Sequence, residues 1–361
     1  MNHSNANVQD AGLNSTDKHR FPWKWYLSDL ENVKKNGLKV FSCFSCGGGS
    51  SMGYKLAGFD VIGNCEIDPR VLRIYKKNLH PKYPFNLDIR DFNKLEEIPE
   101  ELIGVDILDG SPPCSVFSTA GQRENAWGKE KAFREGQKKQ RLDDLFFAFL
   151  DTAKKLQPKV IVAENVEGLI KGNAKGYANE ILARFRELGY IVQMFLLNAA
   201  TMGVPQARKR VFFVAYKEEF DFAKLKLDFN EPPILFGEVR TEKGIPSKEG
   251  GVCAELLKKR KAGDRKISDI SERERGRRTG FTRPIFADDE VAATVISSGN
   301  TYRFCDGMKC SNFDFINTQT FPQDYDFLDQ QPQYVCGMSV PPVMMANIAT
   351  EIYNQWLSKA E

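Results

Sequence analysis

Cys114 is the residue of this chain whose setting most suggests covalent chemistry. It lies in the stretch GSPPCSVFS (110–118), directly after the apolar run VDILDG (105–110). Pro112 and Pro113 stiffen the elbow that carries it, because each proline ring fixes its own φ. A thiolate at such a strand end could add to an electron-poor ring. The alternative is a small buried cysteine, since free cysteines are often buried.

A carboxylic acid and two arginines lie at other predicted strand ends. Glu164 in AENV ends the next long apolar run, and Arg208 and Arg210 in QARKR accompany a further one. A nearby acid can protonate a ring and so assist attack by a nucleophile. An ordinary surface acid at a strand end has the same spacing. Both interpretations of Glu164 therefore stay open on residue type alone.

A second set of residues suggests a nucleoside pocket. Gly47, Gly48 and Gly49 follow the first apolar run, and glycines permit a tight turn and close backbone approach. Their spacing does not match GxGxxG, so a dinucleotide pyrophosphate is not indicated. Glu66, 19 residues after Gly47, could accept both ribose hydroxyls, and Asp88 could accept from an adenine amino group. The ordered set favours a nucleoside cofactor over a glycine-rich turn with two surface acids.

Alternating strands and helices must position these residues. Apolar runs predict strands, and apolar residues at helical spacing predict helices. The predicted strands cover 39–45, 59–66, 105–110, 158–165, 190–200 and 210–216, and the predicted helices cover 50–58, 69–78, 142–156 and 177–188. This alternation predicts an α/β fold with a doubly wound, mostly parallel sheet and helices on both faces. Ligands bind at the carboxyl ends of the strands in such a sheet.

The extent of the pattern divides the chain into three predicted regions. They are an N-terminal extension at 1–36, a catalytic and cofactor-binding domain at 37–217 completed by a C-terminal helix at 334–361, and a smaller second domain with a hinge at 218–333. The extension is predicted to carry a short helix over 29–36, which a capping box of Ser28 and Glu31 would start.

The composition excludes several classes of protein. The chain has 361 residues, 42% of them hydrophobic, which is enough for a large core. No apolar run approaches the ~20 residues of a membrane span, and residues 1–20 have no signal-peptide core, so we expect a cytoplasmic protein. Cys43 and Cys46 form a CxxC pair. No metal site is predicted, because there is no second such pair and the chain has only three histidines.

A basic run suggests contact with a polyanion. Residues 258–278 hold ten Lys or Arg and four Asp or Glu, beginning with Lys258, Lys259, Arg260 and Lys261. The net charge is only +3, so a polyanion site must come from such local clustering. A solvated surface is the usual meaning of a charged run. Its place in the non-periodic region favours phosphate contact.

Four motifs, in this order, resemble those of the DNA (cytosine-5) methyltransferases of prokaryotic restriction-modification systems. They are FSCGGGS, PPC, ENV and QARKR with its following strand, and the resemblance extends over 39–217 and 283–357. It implies a Rossmann-like methyltransferase domain and a target-recognition domain. It also implies S-adenosylmethionine as methyl donor and a flipped-out cytosine in a specific double-stranded DNA sequence as acceptor. We therefore expect a nucleoid-associated monomer, with a cognate restriction endonuclease acting separately.

The resemblance assigns roles at the cytosine site. Cys114 is the nucleophile that adds to carbon 6 of the base, and Glu164 contacts ring nitrogen 3. The supporting positions are Pro113 and Asn165 for the loop, and Arg208 and Arg210 for the base and the loop. The segment 115–141 matches a loop that closes over DNA, and its candidate contacts are Ser118, Gln122 and Arg123.

The resemblance also assigns the cofactor pocket. The matching positions are Phe44, Ser45, Cys46, Gly47, Gly48, Gly49, Glu66, Ile67, Asp88, Ile89, Ser339 and Val340. GMSV (337–340) matches the last motif, and VAATVISSGN (291–300) matches a segment that packs the recognition region. Four residues depart from the family pattern, all on the cofactor side: Ser42 for Asp, Cys46 for Gly, Ile67 for an aromatic residue and Met338 for Asn.

Two other functions compete with this one. The first is the same chemistry on tRNA, but relatives acting on tRNA carry a Cys-Phe-Thr motif that this chain lacks. The second is a catalytically inactive DNA-binding regulatory subunit. Such relatives lose the cysteine of PPC or the acid of ENV, and this chain has both.

Overall fold

The structure is a computed structural model that describes residues 18–113, 130–131, 140–141, 144–171, 175–247, 250–279 and 283–359. At 130–131 and 140–141 only the backbone is described. The predicted site residues Cys114, Ser118, Gln122 and Arg123 lie outside the described residues.

Strands and helices alternate up to residue 217. The strands are β1 (Lys39–Cys43), β2 (Asp60–Cys65), β3 (Tyr83–Phe85), β4 (Ile107–Gly110), β5 (Glu130–Lys131), β6 (Gln140–Arg141), β7 (Val160–Val166), β8 (Tyr190–Asn198), β9 (Gln206–Ala207) and β10 (Lys209–Lys217). The helices are α1 (Gly49–Leu56), α2 (Pro69–Leu79), α3 (Ile89–Lys94), α4 (Leu145–Leu156) and α5 (Lys175–Glu187).

Shorter elements follow. The helices are α6 (Phe236–Val239), α7 (Val252–Leu257), α8 (Ile267–Arg275), α9 (Asn312–Thr318), α10 (Pro332–Met338) and α11 (Pro342–Gln355). The strands are β11 (Ile285–Phe286), β12 (Ala292–Ala293) and β13 (Tyr302–Arg303).

Seven strands form the central sheet in the order β3-β2-β1-β4-β7-β10-β8. The pairs from β3 to β7 are parallel, and β10 is antiparallel to both β7 and β8. The last pair is antiparallel because a short connection joins β8 to β10, whereas parallel pairing needs a long crossover. The predicted mostly parallel sheet is confirmed. The strand order reverses between β1 and β4, which is where an open α/β sheet forms its ligand crevice.

Both faces of the sheet are buried. Along β1, Val40 belongs to one hydrophobic cluster and Phe41 to the other, and Ile107 and Leu108 divide in the same way along β4. Successive strand residues point to opposite faces, so this division means that each face has its own core. Side chains of α1, α2 and α11 fill the first cluster, and those of α3, α4 and α5 fill the second. The continuous apolar runs in the sequence arise from this double burial.

The charged region after 217 has a small core of its own. Six buried residues of α7, α8, β11 and β13 form it: Leu256, Leu257, Ile267, Ile270, Ile285 and Tyr302. Leu225, Phe236 and Val239 instead join the first cluster of the large core. The boundaries of the predicted second domain stay a prediction.

Two predicted helices differ in the structure. The short N-terminal helix is a 3-10 helix over Leu27–Asn32, where the amide of Tyr26 donates to Asp29 Oδ2 at 2.8 Å. The predicted C-terminal helix is divided into α10 and α11, because Pro341 and Pro342 cannot continue the helix before them.

Gly49→Ala should destabilise the protein. A Cβ at Gly49 would lie 2.2 Å from the carbonyl oxygen of Val340 and 2.9 Å from Ser339 Cβ. Overpacking of this kind costs about 1–3 kcal/mol in free energy of unfolding, which urea denaturation would measure. Gly176→Ala in α5 is the matched control, since nothing lies within 4 Å of its added Cβ. Equal effects of the two substitutions would contradict the contact.

Candidate active site

The loop after β1 is held in an unusual backbone conformation. Phe44, Cys46 and Gly48 have φ values of 52°, 45° and 78°, in the left-handed region that disfavours residues with a Cβ. Glu66 supports this conformation, because its Oε2 accepts from the amide of Cys46 at 2.9 Å. Its Oε1 accepts from the amide of Asp68 at 2.9 Å. The left-handed φ of Cys46 explains physically why glycine suits this position.

Two of the three glycines of this loop, Gly47 and Gly49, approach the C-terminal part of the chain, and Gly48 lies against Leu79 and Tyr75 of α2. A Cβ at Gly47 would lie 2.2 Å from Val335 Cγ1 in α10, and one at Gly49 would collide with Val340. The structure thus shows these glycines in close contact with protein, where the sequence suggested approach to a ligand. Ser339 is buried behind the loop, and its Oγ donates to the carbonyl of Val335 at 2.8 Å.

A pocket of about 740 Å³, partly open to solvent, lies at the carboxyl ends of β1 and β2. Most of its lining is apolar, with a few acids and a serine, which is typical of small-molecule sites. Seven of the predicted site residues line it: Phe44, Cys46, Glu66, Ile67, Asp88, Ile89 and Pro113. Six others that were predicted to bind the cofactor are not among its lining residues: Ser45, Gly47, Gly48, Gly49, Ser339 and Val340. Sequence reasoning missed six lining residues: Cys65, Asp68, Val71, Leu87, Ser111 and Tyr334. Met338, which the sequence placed on the cofactor side as a departure from the family pattern, also lines the pocket.

The two predicted acids that line this pocket, Glu66 and Asp88, have different partners. Burial raises the pKa of Glu66, although its hydrogen bonds from backbone amides oppose that shift. Asp88 begins α3, and its Oδ1 accepts from both the amide and Nε of Arg90 at 2.9 Å. Its Oδ2 accepts from Arg90 Nη2 at 2.7 Å. Glu66 is therefore the buried acid, and Asp88 is ion-paired.

The Pro-Pro elbow lies beside the pocket and is anchored from β7. Asn165 Nδ2 donates to the carbonyl of Pro112 at 3.0 Å, and Asn165 Oδ1 accepts from the amide of Val166 at 2.9 Å. Pro113 is the last described residue before Cys114 and lines the pocket. The structure therefore brings the chain that leads into Cys114 to the edge of the pocket.

Glu164 and the two arginines meet at the same sheet edge. Arg210 Nε lies 2.9 Å from Glu164 Oε1 in an ion pair whose side chains are both at least 85% buried. Arg208 is buried, and its Nη1 and Nη2 donate to the carbonyl of Gly337 at 3.3 and 3.4 Å. Burial, and then the charge of Arg210, lower the pKa of Arg208 to about 9. Arg208 Nε is buried with no hydrogen-bond partner among the described residues.

Gln206 connects the segment that carries Arg208 and Arg210 to the stretch 291–300. Its Oε1 accepts from the amide of Val295 at 3.0 Å, and its Nε2 lies 2.6 Å from Gln319 Oε1. β9 also pairs with β12. The contact joins QARKR to the stretch 291–300, so this stretch packs against the arginine edge.

A buried carboxylate that the sequence interpretation passed over lies at the end of β4. Asp109 accepts from Ser42 Oγ and Ser50 Oγ, both at 2.8 Å, and from the hydroxyl of Tyr54 at 3.4 Å. Burial, only partly opposed by these hydroxyls, raises the pKa of Asp109 from 3.8 to about 7. The charge of Glu164 raises it further. In sequence, only its place at the end of an apolar run distinguished Asp109.

The basic run is partly engaged with protein. Lys258 Nζ lies 2.8 Å from Glu255 Oε1, and Lys259 Nζ lies 3.3 Å from Glu274 Oε2. The guanidinium of Arg260 donates to three backbone carbonyls, those of Leu257, Phe304 and Cys305. Arg260 thus has a structural contact that the sequence did not suggest. The predicted DNA contacts of this run stay a prediction.

Two searches of the described residues bear on other classes of site. None of the helices in the described ranges is both long and apolar enough to cross a membrane. Within the same ranges, no group of three or more His, Cys, Asp or Glu is arranged to hold a metal ion.

The sheet order, the crevice between β1 and β4 and the pocket beside it define an open α/β fold with a doubly wound, mostly parallel sheet. The fold resembles a crystal structure of a Spodoptera frugiperda DNMT2 mutant, with a TM-score of 0.60 and 17% identity, covering 88% of this chain and 100% of that chain. It also resembles S. pombe Dnmt2, with a TM-score of 0.54 and 15% identity, covering 88% and 99%.

The sequence narrows the class further. The profile of the C-5 cytosine-specific DNA methylase family matches residues 38–354, and the chain belongs to that family. It is 35% identical over 187 residues to the type II methyltransferase M.NgoPII of Neisseria gonorrhoeae, covering 52% of this chain and 50% of that protein. It is 26% identical to M.NgoFVII of the same organism over 355 residues, covering 90% and 89%. The chain spans about half the length of the curated relatives that it matches at 32–35% identity.

The pKa of Asp109 predicts a pH-dependent stability. An acid whose pKa rises on folding binds its proton more tightly in the folded state. The stability that it contributes is present below about pH 4 and is lost as pH rises through about 7. Asp109→Asn removes this loss, so the variant should gain stability relative to the wild type across that window, by up to about 4 kcal/mol.

Urea denaturation of both proteins at several pH values would measure this difference. Glu164 on β7 and Cys43 on β1 also face Asp109. Both residues are present in the wild type and in the variant, so their own contributions to the pH dependence cancel in the difference between the two proteins. A difference that does not vary between pH 4 and pH 7 would contradict the raised pKa.

Proposed function

We propose that this protein transfers a methyl group from S-adenosylmethionine to carbon 5 of cytosine in a specific double-stranded DNA sequence. One observation carries the proposal: the Pro-Pro elbow before Cys114 lines the pocket at Pro113 and is held by Asn165, the residue directly after Glu164 of the Glu164–Arg210 ion pair. Membership of the C-5 cytosine-specific DNA methylase family supports the same chemistry.

The pocket residues suit S-adenosylmethionine. Phe44, Ile67 and Ile89 supply apolar surface for a purine ring. Glu66 is a buried acid directly after β2, and a carboxylate has about four lone-pair sites, so it can accept from ribose hydroxyls beside the backbone amides that it already binds. The acids also favour a cationic ligand. S-adenosylmethionine, when bound, supplies an electrophilic methyl group on a sulfonium.

Cys114 begins the proposed reaction. Carbon 5 of cytosine is too weak a nucleophile to be methylated directly, so the Cys114 thiolate first forms a bond to carbon 6. The electron pair of the 5,6 double bond is then available at carbon 5. After methylation, a base removes the proton from carbon 5, the double bond re-forms and the thiolate leaves. Nearby cations such as Arg208 and Arg210 favour the thiolate over the thiol.

Glu164 assists the addition. In the proposed role it donates a proton to ring nitrogen 3, which draws electrons from carbon 6 and makes it a better acceptor for sulfur. Arg210 fixes the carboxyl group of Glu164 through the ion pair at 2.9 Å. The target base must leave the duplex to reach this edge, at a cost of a few kcal/mol.

The protein should become covalently trapped on duplex DNA that carries 5-fluorocytosine at its target, and only with S-adenosylmethionine present. Sulfur addition and methylation can proceed, but fluorine cannot leave carbon 5 as a cation. The Cys114–carbon 6 bond should therefore persist through denaturing electrophoresis. Cys114→Ala should abolish the trapped band, and Glu164→Gln should slow its appearance by about 10²-fold or more.

Cys43→Ala is a matched control, because Cys43 is buried within β1. It should leave trapping intact. Trapping that survives Cys114→Ala would refute the proposed nucleophile. Trapping on tRNA and on no duplex would favour the RNA substrate, and DNA binding without any trapping would favour an inactive regulatory subunit.

We also propose that the exposed lysines at the start of the basic run contact DNA phosphates. The side chains of Lys258 and Lys259 are 71% and 61% exposed, and their carboxylate partners are surface residues. Exposed pairs of this kind contribute little to stability, so these lysines can exchange partners. Arg260 is excluded because its guanidinium is engaged by backbone carbonyls.

Lys258→Gln, Lys259→Gln and Lys261→Gln together should flatten the salt dependence of DNA binding. Each lost phosphate contact lowers the slope of log K against log salt by about one unit. Fluorescence anisotropy at several salt concentrations would measure it. Lys94→Gln is the comparison, since Lys94 lies in α3, outside the basic run, and forms a similarly exposed pair with Asp91 at 3.0 Å. If the triple variant has the same slope as the wild type, these lysines do not contact DNA phosphates and the basic run is an ordinary solvated surface.

A further inference from the structure

Asp109 joins three segments beside the cofactor pocket. It lies at the end of β4 and accepts from Ser42 in β1 and from Ser50 and Tyr54 in α1. We call these four residues the Asp109 cluster. All four are buried. A buried carboxylate with three hydroxyl partners is costly to desolvate and is not needed for packing alone.

Two segments of the chain connect the Asp109 cluster to residues that line the pocket. Ser42 is two residues before Phe44, and Asp109 is two residues before Ser111; Phe44 and Ser111 both line the pocket. Ser50 lies in the first turn of α1, directly after the glycine loop. The carboxylate therefore connects the loop on the cofactor side to the strand that leads into the Pro-Pro elbow.

Asp109 also faces the position at which this chain departs from its family. Ser42 stands where the family usually has Asp, and in the parallel pairing of β1 and β4 the Cα partner of Ser42 is Asp109. The chain thus has one carboxylate at this pair of positions, contributed by β4. Two carboxylates there would face each other in a buried space, which is unfavourable.

We infer that Asp109 is a positioning residue for the cofactor site, and that it supplies from β4 the carboxylate that β1 lacks. The hydrogen bonds of the cluster set the distance between the loop after β1, which carries the lining residues Phe44 and Cys46, and the elbow, and so the shape of the pocket. The inference rests on the proposed function for the identity of the cofactor. It concerns the residues of this chain and assigns Asp109 no contact with substrate.

An exchange of the two side chains tests the inference. Calorimetry with S-adenosylhomocysteine would compare the wild type with Asp109→Ala, Asp109→Ser, Ser42→Asp and the double variant Ser42→Asp/Asp109→Ser. Losing this set of three buried hydrogen bonds should weaken binding by about tenfold or more. We expect Asp109→Ala, Asp109→Ser and Ser42→Asp each to lose that affinity. The double variant should return to within about threefold of the wild type.

Asp106→Asn is the matched control. Asp106 is at the other end of β4, where it accepts from the amide of Lys39 at 2.7 Å and pairs with Lys159 at 2.8 Å. It should lower the melting temperature and leave affinity for S-adenosylhomocysteine unchanged. In methylation assays, the Asp109 variants should raise KM for S-adenosylmethionine more than they lower kcat.

The outcomes separate the two proposals. Wild-type protein that does not bind S-adenosylhomocysteine would overturn the proposed cofactor. Wild-type binding that Asp109→Ala or Asp109→Ser leaves unchanged would overturn the inference alone. A double variant no better than Asp109→Ser would overturn the claim that the carboxylate can come from either strand. If Asp109→Ala fails to fold, the affinity of Asp109→Ser for S-adenosylhomocysteine tests the inference instead.

Discussion

The close contact between the glycine loop and the chain after α10 is the constraint on which the site depends. A Cβ at Gly49 would be 2.2 Å from the carbonyl of Val340, so the loop can lie there only without side chains. The contact joins residues nearly 300 positions apart in the sequence. It brings α10 beside the end of β1, and as a result Tyr334 and Met338 become walls of the pocket.

Buried charge is concentrated along one edge of the sheet. Asp109 in β4, Glu164 in β7 and Arg208 between β9 and β10 are buried there. Such groups are costly to desolvate unless hydrogen bonds or opposite charges compensate. Hydroxyls compensate Asp109, Arg210 pairs with Glu164, and a backbone carbonyl accepts from Arg208. A concentration of buried ionisable groups with shifted pKa values is typical of catalytic sites. The proposed methyl transfer would use these groups.

Much of the fold and part of the site could be predicted from residues alone. Apolar runs marked the strands of the central sheet, because strands buried on both faces must be apolar throughout. Glu66, Asp88, Ile67 and Ile89 lie in one pocket because the carboxyl ends of parallel strands meet at one edge. Asn165 reaches Pro112 for the same reason. The order of the motifs also sufficed to identify the family, which the match over 38–354 confirms.

Only the tertiary structure decided which partner each side chain found. The sequence could not show that Asp109 lies opposite Ser42, because parallel register depends on how the connecting helices pack. Nor could it show that the guanidinium of Arg260 is engaged by carbonyls, since two of them belong to residues more than 40 positions away. Local pattern determined the strands, the motifs and the family. Long-range packing decided the walls of the pocket and the environment of each buried charge, because contacts between distant segments leave no periodic signal in a single sequence.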